Sequence, residues 1–216
     1  SANGFWDEDT RIVHFLGKDN ARWHALLWPA MLKSTGLRLP DTIYVHGFVN
    51  LNGQKISKST GNMIRPSEMV EQFGVDASRY YLLKHGPITD DVNISMDHLK
   101  DVYNSDLANG LGNTVARLAK MAEKSGLAFD IKPIAKDLFS EDWARSFTDY
   151  RADLVVLNIW KQLADLDKHI NENQPWAITD IAKLSEVLGY EVDQIRKIAL
   201  IIEPYIPETA RKVQEI

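Results

Sequence analysis

Two lysines and two serines are crowded into one short stretch of the sequence, NGQKISKSTGN at residues 52–62. Lys55 and Lys58 supply ammonium groups, while Ser57 and Ser59 supply hydroxyl groups. Together with the free backbone N–H groups of a glycine-containing loop, these groups can bind an oxyanion such as a phosphate. Because motif matches are only hypotheses, two interpretations stay open at this point, a solvated basic loop and a phosphate-binding loop.

A second set of candidate residues precedes this stretch. His24 and Trp28 are four residues apart, so they share one face of a predicted helix, and Trp23 lies next to His24. Histidine and tryptophan on such a face belong to a core more often than to a ligand site. Asp19 stands just before the helical pattern, where an aspartate is a good N-cap.

A third set lies in the second half of the chain. Asn113 and Arg117 are also four residues apart and, at 100° per residue, they lie opposite an apolar stripe that begins at Leu107. Trp176 directly follows the helix-breaking Pro175. Polar residues on such a face are usually only solvated.

The first two sets are positioned by a predicted β-α-β unit. Residues 11–16 and 42–48 have the pattern of strands, and the helix between them starts after Asp19 and ends near Gly36. Pro29 inside this helix predicts a kink. A unit of this kind is right-handed and makes its two strands parallel.

Ligands bind to such sheets beyond the carboxyl ends of the strands. Those ends carry Gly17 and Asp19 after the first strand, and His46 and Gly47 after the second. The Asn-Gly pair at 52–53 predicts a hairpin, which brings the lysine-rich stretch into the same neighbourhood. Two parallel strands leave both edges of a sheet open, which predicts further strands in a segment that precedes residue 1.

The rest of the sequence is mostly helical in its pattern. Two short helices are predicted near 67–73 and 76–85, followed by a turn-rich stretch. Apolar residues at helical spacing then predict long amphipathic helices around 107–122 and 156–170. Two more amphipathic helices follow, and the short connections predict an antiparallel bundle.

The composition excludes several classes of protein. The chain has 216 residues, 44% of them hydrophobic, as suits one large or two smaller folded domains. It has no cysteine for disulfides or thiolate metal sites, and no stretch approaches the ~20 apolar residues of a membrane helix, so we expect a cytoplasmic location. The net charge of −5 argues against a broad basic surface for nucleic acid, so any RNA site must be local.

The stretch KISKS resembles the KMSKS signature of the class I aminoacyl-tRNA synthetases. The surrounding HGFVNLNGQKISKSTGNMI is similar to the methionyl-tRNA synthetase family in particular, with Ile56 in place of the usual methionine of the signature. Four further blocks follow the order and spacing of that family, namely GKDNARWHALLWPA, RYYLL, YNSDLANGLGN and NQPW. Five ordered blocks make the resemblance specific, and it covers nearly the whole chain.

The resemblance implies an enzyme that uses ATP and Mg²⁺ to make methionyl-adenylate and then transfers methionine to its tRNA. Lys58 and Lys55 would be catalytic, because positive charge held in place stabilises the charge that grows on the phosphates. The implied ATP-binding residues are Gly17, Asp19, His46, Gly47, Lys55, Ser57, Lys58 and Ser59. The implied methionine-binding residues are His24, Trp28 and Trp23.

The resemblance also gives the third set a role. Asn113, Arg117 and Trp176 match the positions with which the family reads the CAU anticodon. The chemistry is suitable, because asparagine and arginine can hydrogen-bond base edges and an aromatic ring can stack on an unpaired base. The implied architecture has three parts: an α/β partial Rossmann-like sheet with the signature loop (1–65), a mixed linking domain that contacts the tRNA stem (66–106) and an all-α antiparallel helix bundle that binds the anticodon (107–216).

The family also has features that this sequence lacks. It contains no match to the HIGH-type motif of class I synthetases and no zinc-bearing insertion, so we assign no metal site. We interpret the chain as a carboxyl-terminal fragment that is inactive alone and whose partners are tRNA-Met, methionine, ATP and the missing amino-terminal half of the catalytic domain. The alternatives are a non-catalytic tRNA-binding module derived from such an enzyme, and a class I synthetase for valine, isoleucine, leucine or cysteine.

Overall fold

The computed structural model describes residues 6–7, 9–51, 53–56, 63–129, 134 and 141–215, with the backbone alone for Lys55, Glu141 and Asp142. The chain divides into two compact units. The first unit is Ser1–Met63 with Gly86–Ile94, and the second is Ile64–His85 with Ser95–Ile216.

The first unit contains the predicted pair of parallel strands. Strand β1 is Val13–Gly17 and strand β2 is Thr42–His46, and they pair in parallel with Gly17 opposite His46. The buried Leu16 of β1 contributes to the core of this unit. The carboxyl ends of both strands, which carry the candidate ATP-binding residues, therefore lie side by side.

The connection from β1 to β2 is helical but differs from the prediction. A 3₁₀ turn, Lys18–Asn20, follows the strand directly, and a π-helical segment, Trp23–Leu27, leads into helix α1, Trp28–Ser34. The predicted kink is thus a wide π-helical turn ahead of Pro29. A wider turn suits a proline, which donates no N–H and crowds the carbonyl of the turn before it.

Asp19 is not the N-cap that the sequence predicts. The N-cap residue of the 3₁₀ turn is Gly17, and the turn has no side-chain hydrogen bond that caps it. An N-cap residue needs an extended backbone, whereas Asp19 lies inside the turn and its backbone is already helical. Its carboxylate is consequently free of this local role.

Helix α1 ends where the sequence predicts. Gly36 has φ +71°, its N–H donates to the Lys33 carbonyl at 3.3 Å, and the N–H of Leu37 donates to the Leu32 carbonyl at 2.9 Å. This is a Schellman motif, in which a left-handed glycine closes the helix.

A second, three-stranded sheet completes the first unit. Strands β3, Val49–Leu51, and β4, Gln54–Lys55, form the predicted hairpin, and Gly53 has φ +78° as a tight hairpin turn requires. The stretch that the sequence predicts as turn-rich contains strand β5, Val92–Ile94, which pairs in parallel with β3. A strand of three residues gives too short a pattern to be recognised by alternation.

The second unit begins with the two predicted short helices. They form one segment, α2, Pro66–His85, which is interrupted at Gly74, where φ is +81° and ψ is 169°. Helix α3, Met96–Val102, then runs without a break through a π-helical segment, Tyr103–Gly112, into helix α4, Asn113–Ser125.

The rest of the second unit is mostly helical. Its helices are α5, Glu141–Thr148, α6, Ala152–Asn173, α7, Ile181–Ile202, and α8, Pro207–Gln214. The predicted apolar stripe of α6 is buried throughout, at Val156, Ile159, Leu163, Leu166 and Ile170. The two helices predicted after Pro175 are the single helix α7, because Gly189 costs only about 1 kcal/mol in a helix and buried residues flank it.

Among the described residues, no helix is long and apolar enough to cross a lipid bilayer.

Candidate functional site

The carboxyl ends of β1 and β2 bring three of the predicted ATP-binding residues together. A Cβ atom placed on Gly17 would lie 3.0 Å from Oδ1 of Asp19 and 3.5 Å from Cε1 of His46. A side chain at residue 17 would therefore crowd the Asp19 carboxylate, whereas its distance to His46 is an ordinary van der Waals contact.

Gly47, the fourth of these residues, is also closely packed. A Cβ atom on it would collide with the backbone of Asp90, and its N–H donates to the Pro87 carbonyl at 3.0 Å. Nδ1 of His46 lies 2.8 Å from the Gly47 carbonyl oxygen. The backbone after β2 is thus held tightly against residues 87–90.

Of these residues, His46 and Gly47 line a polar cleft of about 420 Å³. Its lining consists of Lys18, Val45, His46, Gly47, Thr89, Asp90 and Asp91. Lys18 Nζ lies 2.7 Å from both carboxylate oxygens of Asp91 and 4.5 Å from the centre of the Phe48 ring. The hydrogen bond from Lys18, with a second from the Phe48 N–H, holds the pKa of Asp91 below its usual value. The cleft therefore carries both an ammonium and a carboxylate at its edge.

The predicted phosphate-binding loop lies mostly outside the described residues. This holds for Ser57, Lys58 and Ser59, and for the side chain of Lys55, whose backbone belongs to β4. Their part in binding stays a prediction.

Two of the three predicted methionine-binding residues, His24 and Trp28, belong to an aromatic cluster. Trp28 packs edge-on against Trp6 at 6.4 Å between ring centres, and His24 packs edge-on against His14 at 5.7 Å. Trp6 and His14 lie 6.1 Å apart, so they connect the two pairs. Trp28 is 37% exposed and Trp23 is 59% exposed, which leaves aromatic surface open to a ligand.

In the second unit the structure places Arg117 beside Trp176. The centre of the guanidinium lies 6.0 Å from the centre of the indole ring, within the range of a cation–π contact. Nη2 of Arg117 donates to Oδ1 of Asn171 at 3.1 Å, and Nη1 lies 3.9 Å from Oδ1 of Asp167. Asn113 is exposed one helical turn before Arg117.

The local sequence explains how Trp176 is presented. Helix α6 ends at Asn173, its C-cap Gln174 has φ +47°, and Pro175 opens the short 3₁₀ turn Pro175–Ala177. Pro175 is buried and anchors this turn, while the Trp176 side chain is 58% exposed. Trp176 therefore has a large aromatic ring that is open to solvent and lies next to a guanidinium. Such a ring suits a flat and unpaired ligand such as a base.

Comparison with known proteins gives the family. A family model described as "tRNA synthetases class I (M)" matches residues 2–119, more than half of the chain. This chain belongs to the methionyl-tRNA synthetase family of class I. The resemblance seen in the sequence is thereby confirmed.

Curated members of the methionyl-tRNA synthetase family match almost the whole chain. The methionine–tRNA ligase of Fusobacterium nucleatum is 36% identical over 97% of this chain and 35% of its own length, and that of Mycobacterium leprae is 33% identical over 99% and 44%. The chain thus spans less than half of the length of these relatives.

Solved structures of methionyl-tRNA synthetases also match this chain. A structure of Mycobacterium tuberculosis methionyl-tRNA synthetase in complex with methionyl-adenylate matches with a TM-score of 0.81 and 32% identity, over 95% of this chain and 44% of that one. The free form of the same enzyme matches with a TM-score of 0.80.

Several residues of the candidate sites of this synthetase chain have no signal in the sequence. Asp91 lies 73 residues from Lys18, and Asn171 lies 54 residues from Arg117. Trp6 is likewise distant from Trp28 along the chain. Such partners are determined by tertiary packing, and no local spacing identifies them.

Proposed function

We propose that this chain is part of a methionine–tRNA ligase, in which it supplies one side of the ATP and methionine site and the anticodon-binding domain. The observation that carries the proposal is the contact between the guanidinium of Arg117 and the exposed ring of Trp176. It joins two residues that lie 59 positions apart in a chain that belongs to the methionyl-tRNA synthetase family.

In the activation step, ATP would lie along the carboxyl ends of β1 and β2. The Asp19 carboxylate lies next to Gly17 at the end of β1, where it can accept hydrogen bonds from ribose hydroxyls. Lys58 and Lys55 would stabilise charge on the phosphates of the ATP–Mg²⁺ complex, where removal of one such group typically costs about 3 kcal/mol.

Methionine would bind against the aromatic cluster. His24 and Trp28, with Trp23 beside them, present aromatic surface that suits a polarizable thioether. Attack of the methionine carboxylate on the α-phosphate would form the adenylate and release pyrophosphate.

In the second unit, Asn113 and Arg117 would hydrogen-bond the edges of anticodon bases, and Trp176 would stack on one of them. Base contacts in a loop need no broad positive surface, which fits the net charge of −5. We further propose the division into a catalytic part (1–65), a stem-contacting part (66–106) and an anticodon-binding part (107–216), and a cytoplasmic location.

A binding titration tests the anticodon proposal. We expect the purified chain to bind an RNA hairpin with a CAU anticodon at least about tenfold more tightly than the same stem with an altered anticodon, a difference of ~1.4 kcal/mol. Fluorescence anisotropy at fixed ionic strength measures both. Equal weak binding, by a chain that circular dichroism shows to be folded, would contradict the proposal.

The activation step requires more than this chain. Among the described residues the β1–β2 sheet has only two strands, and apolar side chains such as Phe15 and Val45 are exposed on it. We therefore expect the purified chain to show no methionine-dependent exchange of pyrophosphate into ATP above background. Exchange that depends on methionine and is lost in Lys58→Ala would show that the chain is active alone.

A further inference from the structure

Four polar residues form a stripe along one face of α4, namely Asn113, Arg117, Lys120 and Lys124. At 100° per residue, all four lie within an arc of about 60°. Both lysines are exposed, whereas Leu118 on another face of the helix is buried. This α4 stripe therefore continues, on the solvent side of the helix, the face that presents Asn113 and Arg117.

The two lysines of the α4 stripe keep their charges without a counter-charge. Lys197 on α7 and Lys212 on α8 each pair with a carboxylate four residues earlier in their helix. Within the described residues, neither Lys120 nor Lys124 has an ion-pair partner. Helix α4 holds three cations and only one carboxylate, that of Glu123, in a chain with a net charge of −5. A local excess of positive charge on an acidic chain attracts an anion to that place.

The spacing of the α4 stripe fits the backbone of a nucleic acid strand. At a rise of about 1.5 Å per residue, Lys120 lies about 4.5 Å and Lys124 about 10 Å beyond Arg117 along the helix axis. A strand in a nucleic acid helix carries one phosphate per about 3.4 Å of axis, so this distance spans about three phosphates. The two lysines can therefore contact successive parts of one strand.

The surface beside the α4 stripe leaves room for such a strand. An open depression of about 690 Å³ is bordered by Lys120 and lined in part by the small side chains of Ala116, Ala119 and Ala122. The carboxylate of Glu123 also borders it and repels phosphates. Because Glu123 lies about 100° around the helix from Lys124, we expect the strand to follow the lysines and not the carboxylate.

The structure separates the roles of arginine and lysine within the α4 stripe. Nη2 of Arg117 donates to Asn171 at 3.1 Å and Nη1 lies 3.9 Å from the carboxylate of Asp167, so the guanidinium is held beside the ring of Trp176. A guanidinium that is held in one orientation suits a base edge. The two lysines lack such contacts within the described residues, and a flexible ammonium suits a phosphate, which needs charge more than orientation.

We propose that Lys120 and Lys124 bind backbone phosphates of the RNA strand that continues from the anticodon base at Trp176. This inference rests on the proposed anticodon-binding role of Arg117 and Trp176. Phosphate contacts fix the register of a strand and add affinity, but they carry no sequence information. The lysines thus determine how strongly the RNA is held, while the base contacts determine which RNA is preferred.

The dependence of binding on salt tests the inference, because each phosphate contact releases counterions. The CAU hairpin is titrated by anisotropy at neutral pH in about 50 to about 200 mM KCl. On a single strand each contact contributes about 0.7 to the slope of log K against log salt, so the slope of Lys120→Gln combined with Lys124→Gln should be smaller by about 1.4. Across this range the Kd of the double variant should therefore rise about sevenfold less than that of the wild type. Its preference for CAU over an altered anticodon should stay within about twofold of the wild-type preference.

Two control variants and one modified RNA identify the contact. Lys120→Arg combined with Lys124→Arg keeps both charges and should keep the wild-type slope. Lys212→Gln removes an exposed charge that is paired with Glu208 at 2.9 Å on α8, and it should also keep that slope. A CAU hairpin with uncharged methylphosphonate linkages beside the anticodon should bind the wild type with the reduced slope. With that hairpin, the double glutamine variant should show no further reduction.

The outcomes separate this inference from the proposed function. A preference for CAU in the wild type, together with an unchanged slope in the double glutamine variant, would overturn the inference alone. A slope that also falls by about 0.7 in Lys212→Gln would do so as well, because net charge and not the α4 stripe would then be responsible. A wild-type chain without preference for CAU at any salt concentration contradicts the proposed function instead. The slopes can be measured with either hairpin, so they still decide whether the lysines contact phosphates.

Discussion

Replacing Trp176 by alanine is expected to weaken binding of the CAU hairpin by about 5- to 150-fold, because a base stacked on an aromatic side chain is typically worth about 1–3 kcal/mol. The preference over an altered anticodon should fall with it. The Trp176 ring is 58% exposed and Pro175 anchors its turn, so its removal leaves the core intact. Anisotropy titration of the same two hairpins measures the loss.

Two further variants isolate stacking from a general loss of apolar surface. Trp176→Phe keeps a flat ring and should retain most of the affinity. Phe147→Ala removes a partly exposed aromatic ring of α5 in the same unit and should change the Kd by less than about twofold. Binding by Trp176→Ala that equals the wild type would mean that the ring takes no part in the RNA site.

The position of Arg117 also depends on the Trp176 ring. Its guanidinium lies 6.0 Å from the ring and is held by Asn171 at 3.1 Å. Loss of the ring removes the cation–π contact as well as the stacking surface. Part of the effect of Trp176→Ala therefore comes from a guanidinium of Arg117 that is held less firmly. The loss of binding free energy in the double variant, Arg117→Ala with Trp176→Ala, should then be smaller than the sum of the two single losses.

Local chemistry was sufficient to predict much of the first unit. Gly36 and Gly53 stand where the backbone has positive φ, and such positions can be recognised from glycine placement alone. The parallel pairing of β1 and β2 follows from the strand-helix-strand order. The proximity of Gly17 to His46 can then be predicted as well, because these residues end adjacent strands.

The π-helical segments could not be predicted by a method that assumes 3.6 residues per turn. In Tyr103–Gly112 a Cβ atom on Gly112 would lie 2.9 Å from the carbonyl oxygen of Leu107, five residues earlier. Only a glycine permits that approach without a shift. A wheel drawn at 100° per residue is therefore misaligned across this segment, although Leu111 and Leu118 are buried as the pattern predicts.

The candidate sites divide in the same way. Candidate residues that are recognised by their own position on an element, such as Arg117 and Trp176, could be predicted from sequence and resemblance. Their partners Asn171 and Asp167 lie on α6, and they meet Arg117 only when α4 and α6 pack. The sequence contains no periodicity that relates them.

Replacing Asp106 by asparagine is expected to lower the free energy of unfolding of the second unit by about 2–3 kcal/mol. Its Oδ2 accepts from Tyr80 at 2.7 Å and from Lys84 at 2.5 Å, and its Oδ1 accepts from Ser105 at 2.8 Å. The side chains of Asp106 and Lys84 are only 15% and 26% exposed, so the substitution leaves an ammonium partly buried without a counter-charge. Breaking fully buried pairs costs about 3–5 kcal/mol, and the residual exposure reduces that figure.

The effect should depend on pH in a defined direction. Burial alone would raise the pKa of Asp106, but the hydrogen bonds from Lys84, Tyr80 and Ser105 outweigh it and hold the pKa below the usual value. A lowered pKa means that the stabilisation is complete above the pKa of the unfolded chain, about 3.9, and is lost as the pH falls through the folded value. Urea unfolding should therefore show the same difference between wild type and variant at pH 7 and pH 5, and a smaller one below pH 4.

A second aspartate supplies the control. Asp193 pairs with Lys197 at 2.7 Å, almost the same distance, but as an i,i+4 pair with side chains 39% and 33% exposed. Asp193→Asn should cost less than about 0.5 kcal/mol, because solvent screens exposed pairs. Equal losses for the two substitutions would mean that burial adds nothing to the Asp106 network. A larger loss at Asp106 that shrinks in acid would show that desolvation, together with the hydrogen bonds that compensate it, determines what this ion pair contributes to the unit that carries the proposed RNA site.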